Sequence, residues 1–405
     1  MPRDRQVRPG SESRAGFAQR VNTAVLDRVR EAFARNESLG YDVGASVAIW
    51  QGGEEVLCLS HGWRDGAKTL PWESDTLCLI WSATKGLASA CVLHALDQEG
   101  IDLDTPVAFV WPEFGQNGKE DITLAEALSH RAGLSALEDR SAQLLDYPGV
   151  IAAIEKQAPV IPPGMGHAYG PRTFGFVADE ILRRVTGIPV SVYWRTHFAD
   201  PLGIDAWIGL PEEYHSRVAQ MLPPRAHSDG GTEEAFNKAL ADLNSLTRRA
   251  FSTPASPLSP TAMNAPAIRS AQLPSLGGIA SARALAKFYS FLANGAVRAD
   301  GSMYTDKALA WFRTPLANGF DQTLLRETAF SAGFMMDPRD ETGRKTRAIY
   351  GPSMTAFGHP GAGGSLAFAD PETGIGFAYV MNQMELGVLP RTRAQRLVQA
   401  LYDFA

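Results

Sequence analysis

The sequence predicts an α/β (α+β) fold in which an antiparallel sheet is flanked by helices and carries an inserted, mainly helical domain. Three observations lead there. Turn-linked pairs of β-prone runs stand near both ends of the chain, an amphipathic segment lies on the terminal side of each pair, and the stretch between them is dominated by helical periodicity.

The elements follow in order. Phe17, Val21, Val25, Val29 and Phe33 recur at helical spacing, so one face of this segment packs on a core. Residues 45–50 and 55–60 flank Gln51-Gly52-Gly53, the signature of a hairpin. A second hairpin is expected from residues 365–369 and 375–381 around Asp370-Pro371-Glu372-Thr373-Gly374, followed by a helix over 390–404. These ends define an α/β domain of residues 1–102 and 273–405. Between them, 103–272 reads as the helical insertion, with helices over 123–130, 147–156, 173–185 and 190–197. Within and just beyond it, 251–274 is rich in Pro, Ser and Ala without periodicity, which is the composition of a lid-like loop or of a linker.

Composition narrows the function classes. With 38 basic against 44 acidic residues among 405, the net charge is −6, and the arginines are scattered, so nucleic-acid binding has no electrostatic support. Cys58, Cys78 and Cys91 match no zinc or redox spacing and read as small buried hydrophobes. No run approaches the ~18 apolar residues of a membrane span, and the first residues lack the apolar core of a secretory signal. The expectation is a cytoplasmic monomer or small homo-oligomer. No phosphate loop, metal-ligand set or Gly-x-Ser-x-Gly elbow is present.

What carries chemistry is Trp81-Ser82-Ala83-Thr84-Lys85, where a β-prone run meets a helix. Ser82 and Lys85, three residues apart, share a helix face near its positive end. An amine beside a serine hydroxyl accepts or polarises its proton, and a helix end stabilises developing negative charge. On spacing alone, an N-cap serine followed by a solvated lysine fits as well. Downstream, Tyr169 lies in a Pro- and Gly-rich loop ahead of a helix, and His359-Pro360-Gly361-Ala362 precedes the C-terminal hairpin.

In these motifs and their order, the chain resembles the serine β-lactamase and penicillin-binding fold, in the class C-like branch that includes the family VIII carboxylesterases. The resemblance runs from about Ala45 to the C-terminus. Ser82-Ala83-Thr84-Lys85 is similar to the Ser-x-x-Lys motif, which implies that Ser82 is the acyl-accepting nucleophile and Lys85 its amine partner. Tyr169 matches the tyrosine of Tyr-x-Asn, implying a general base shared with the lysine. His359-Pro360-Gly361 stands in the place of Lys-Thr-Gly on a sheet-edge strand. Leu128-Ser129-His130-Arg131-Ala132-Gly133-Leu134, Val185-Thr186-Gly187 and Trp207-Ile208-Gly209-Leu210-Pro211 add to the likeness.

Two departures bear on substrate. Pro171 replaces the asparagine, so no side-chain amide is offered to a β-lactam or to the lysine. His359 replaces the lysine, so the fixed cation for a lactam carboxylate is missing. An uncharged small-molecule ester needs neither. The expected activity is therefore carboxylic ester hydrolysis through an acyl-enzyme on Ser82, for short to medium acyl chains, with weak β-lactamase side activity. A β-lactamase, D-alanyl peptidase or acyltransferase of the same fold is the alternative, and a non-catalytic scaffold is less favoured. The expected oxyanion donors are the backbone N–H groups of Ser82 and Ala362. A base role for Tyr169 requires a neighbouring cation to lower its pKa from about 10, and Lys85 is the candidate. No cofactor or metal enters this scheme. His359 is expected to line the site with Gly361. Trp81 and Phe357 read equally as acyl-pocket lining or core aromatics, His130 as helix-end structure, and Arg172, next to the Tyr169 loop, as a solvated side chain or salt-bridge partner ahead of a substrate contact.

Overall fold

The computed structural model describes residues 20–225, 233–256 and 259–403. Phe17 and Phe404, at the outer ends of the two predicted terminal helices, lie outside them, as do residues 257–258 of the expected lid. Helix α1, Thr23–Ser38, starts where Asn22 caps it by accepting from the Val25 N–H, and it buries Val29, Ala32 and Phe33. The N-terminal hairpin follows as β1, Gly44–Gln51, and β2, Glu54–Gly62.

Helices α2 (Thr84–Gln98), α3 (Tyr147–Lys156) and α4 (Thr173–Thr186) come next. The expected helix over 123–130 is the short Leu124–Leu128, closed by a Thr123/Glu126 capping box. The expected helix over 190–197 is Val190–Trp194, running on into a π-helical turn. In 251–274, the described residues include a 3₁₀ turn at Ala262–Asn264 and a short helix at Pro266–Arg269, so the segment is more ordered than its composition predicts. Helix α5, Ala282–Ala293, precedes strands β3 (Ala317–Asp321), β4 (Arg326–Phe330), β5 (Met335–Met336), β6 (Phe357–Pro360), β7 (Leu366–Asp370) and β8 (Ile375–Met381). The chain then runs through helix α6, Thr392–Tyr402.

All eight strands join one antiparallel sheet in the order β2-β1-β8-β7-β6-β5-β4-β3. Strand pleating assigns alternate residues to opposite faces. Val47, Ile49, Phe368, Phe377 and Tyr379 pack with α1 and α6. Ala48, Ala367, Ala369 and Ala378 face α5 and the remaining helices. The small side chains let α5 lie close on the sheet, closest at Gly376, where an added Cβ would sit 2.1 Å from Ser290 N and 2.2 Å from Ala286 O. Backbone atoms cannot yield as a side chain does. Gly376→Ala is therefore expected to cost roughly 1–3 kcal/mol in urea unfolding, through overpacking.

Strand β6 is not the sheet edge that the resemblance implied, because β5 flanks it. Only Met335 and Gly358 pair across that boundary, however, so β5 stops short and leaves the His359-Pro360 end without a neighbour on that side. Among the described residues, no helix is long and apolar enough to cross a membrane.

Candidate active site

Ser82 lies in a 3₁₀ turn, Trp81–Ala83, that runs directly into α2. Three residues per turn bring positions i and i+3 into line, which is why Ser82 and Lys85 are neighbours. The turn is held from outside: the Thr84 hydroxyl donates to Trp81 O and accepts from the Gly278 N–H. Trp81 itself has φ +48°, a left-handed conformation costly for a residue with a side chain, and it sits immediately before the serine.

The Lys85 side chain is wholly buried. Its Nζ lies 3.4 Å from Ser82 Oγ and donates to Pro171 O and Ser275 O, each at 2.9 Å. Burial away from water holds its pKa well below the ordinary lysine range. A neutral amine has two hydrogens and one lone pair. In that neutral form, with both hydrogens on the carbonyls of Pro171 and Ser275, the lone pair is left for the Ser82 hydroxyl. The hold on Lys85 that a side-chain amide would give is thus supplied by the backbone carbonyl of Pro171, although the donor of that amide is not.

Tyr169 is buried, with its ring 4.9 Å below Lys85 Nζ. Its hydroxyl has no completed hydrogen bond. Burial pushes the phenol well above its usual pKa, and the nearby Ser82 hydroxyl opposes that only in part. Which of the two groups holds the proton at rest was left open by the sequence; burial favours the uncharged form of both, the amine of Lys85 and the phenol of Tyr169.

Three residues that the sequence did not single out as part of the site fix this tyrosine. Buried Asp321 accepts from the Tyr169 N–H at 3.1 Å and from Thr323 N and Leu324 N. His167, joined to Thr328 Oγ1 at 2.7 Å, faces the same carboxylate at 3.8 Å. His130, assigned above to helix-end structure, has its ring centroid 4.9 Å from that of Tyr169 and accepts from the Gly170 N–H through Nδ1.

A cavity of about 540 Å³ opens beside Ser82. Trp81 and Ala362 line it, as do the apolar Phe236, Leu240, Phe251, Leu276, Met384 and Val388 and the charged Arg172, Arg225, Glu233, Glu385 and Arg391. Ala362 is brought there by Gly361, where a Cβ would stand 2.3 Å from Ile80 O, and by Arg393, which donates to Gly363 O at 2.9 Å. The Gly361 N–H itself is taken by Ser365 O.

His359 is absent from the cavity wall. It is buried, with its ring 5.9 Å from Tyr169 and Nδ1 engaged with Pro360 O, and burial lowers its pKa to about 3, so it is neutral. Phe357 is a core residue instead of acyl-pocket lining, since β6 turns it toward the rings of Phe312 and Phe334.

The beta-lactamase family profile matches residues 33–402. The chain belongs to the beta-lactamase family. Among curated members, the Esterase/beta-lactamase LipL of Mycobacterium tuberculosis is 33% identical over 349 residues, 84% of this chain and 77% of LipL. A penicillin-binding protein homologue from Caulobacter crescentus has a similar structure, with 35% identity, TM-score 0.83, and coverage of 95% of this chain and 99% of that one. A family VIII carboxylesterase, at 34% identity, gives the same TM-score of 0.83 and the same coverage, 95% and 99%. This beta-lactamase family member is a serine hydrolase of the esterase/β-lactamase type, with the antiparallel sheet and flanking helices of its neighbours.

Proposed function

We propose that the protein hydrolyses carboxylic esters of short to medium acyl chain through an acyl-enzyme on Ser82, with weak β-lactamase side activity. The observation that carries this reading is the dehydrated Lys85 amine, both hydrogens committed to carbonyls, 3.4 Å from a serine hydroxyl at the wall of a largely apolar cavity. Lys85 takes the Ser82 proton as Oγ attacks the ester carbonyl. The N–H groups of Ser82 and Ala362 receive the oxyanion. Tyr169, protonated at rest, passes a proton to the departing alkoxide and recovers one from Lys85, after which water attacks the acyl-enzyme by the reverse route. Ester is favoured over lactam because Pro171 has no side-chain amide to bond a lactam's acyl-amide carbonyl.

The test is a parallel assay of p-nitrophenyl butyrate, a chromogenic cephalosporin and a D-Ala-D-Ala peptide. The ester should be turned over fastest, and a cephalosporin rate far above the ester rate would overturn the reading. Tyr169→Phe should lower ester turnover by about 100-fold with an unchanged melting temperature. A wild-type rate in that variant would leave Lys85 to handle the proton alone.

A further inference from the structure

Of the three readings that its position in the sequence suggests, Arg172 is neither a solvated side chain nor a salt-bridge partner among the described residues, which leaves a substrate contact. It is only 8% exposed, lines the cavity beside Ser82, and pairs with no carboxylate among the described residues. Among the described residues its guanidinium has a single acceptor, Pro254 O, to which Nη1 donates at 2.6 Å. That carbonyl belongs to the segment between Phe251 and Pro260, both of which line the same cavity. The neighbouring charge is another cation, Arg248, and burial together with Arg248 lowers the Arg172 pKa to about 10, which leaves it protonated at neutral pH.

The acids of the cavity are already committed. Glu233 pairs with Arg326 and Arg391, and Glu385 with Arg393. Arg225, exposed on the same wall, adds a second cation without an acidic partner among the described residues. A largely buried guanidinium with one acceptor among the described residues is costly unless an anion meets it. Its planar fork suits a carboxylate.

We propose that Arg172 is the recognition residue for a carboxylate carried by the substrate, so that the preferred esters are half-esters of dicarboxylic acids. This rests on the ester-hydrolase reading above and narrows its substrate class. The charge that His359 lacks is thus supplied from the Tyr169 loop. The reaction is unchanged: Ser82 Oγ forms the new bond to the ester carbonyl, the alcohol leaves with a proton, and the second carboxylate stays intact.

The experiment compares kcat/KM for p-nitrophenyl half-esters of succinate, glutarate and adipate with the neutral p-nitrophenyl esters of the same acyl length, in wild type, Arg172→Met and Arg172→Lys. The expected result is a wild-type preference for at least one half-ester over its neutral partner. That ratio should fall about 30-fold or more in Arg172→Met, with part of it kept in Arg172→Lys. A merely structural role lowers both rates together and leaves the ratio unmoved, which overturns the proposal. So does a wild-type enzyme that prefers every neutral ester. Absence of turnover for all six esters contradicts the ester-hydrolase reading itself and is distinguishable from either outcome.

Discussion

Replacing Ser82 by alanine is expected to lower ester turnover by at least about 10⁴-fold, the scale at which serine hydrolases lose their nucleophile. The side chain is small and partly exposed at the cavity wall, and its removal breaks no bond that holds the turn. Folding should therefore be unaffected, and the melting temperature should match wild type. A residual rate above that limit would mean that another group attacks the ester.

Lys85→Met separates catalysis from stability. Turnover should fall by about 10³-fold, within the range for loss of a general base. The stability effect depends on pH. In the unfolded chain the amine titrates near 10.4, whereas in the folded protein burial holds it well below that. Folding therefore releases a proton throughout the window between the two pKa values. That cost grows as pH falls toward the folded value and vanishes above about 10.4. Methionine carries no such cost, although it leaves Pro171 O and Ser275 O without a donor at every pH. Relative to wild type, Lys85→Met should thus gain stability as pH is lowered from about 10 to about 7. Urea unfolding at both values checks this, and a difference independent of pH would mean that the lysine is charged in the folded protein.

Where a short pattern is self-sufficient, the sequence was legible. Helix α3 occupies the predicted residues 147–156, and both hairpins sit within two residues of expectation, because alternation and turn residues act locally. The far half of the sheet was not read. Strands β3 to β5 are five residues or fewer, and β3 contains Asn318-Gly319, a pair that resembles a turn. Only cross-strand pairing makes them a sheet.

At the site, the Ser82–Lys85 spacing was visible in the sequence, but its protonation was not, since burial is created by segments far apart in the chain. Ser275 comes from 190 residues away and Asp321 reaches Tyr169 across 152. The isolation of Arg172 is likewise a property of packing. So is the turn of β6 that sends Phe357 into the core and His359 behind Tyr169.

Intact-mass analysis after treatment with a fluorophosphonate tests the central claim most directly, because a phosphonyl adduct marks the residue that attacks. Wild type should gain the mass of one adduct, faster as pH rises through the lowered Lys85 pKa, and Ser82→Ala should gain none. Labelling that persists in Ser82→Ala would contradict the account.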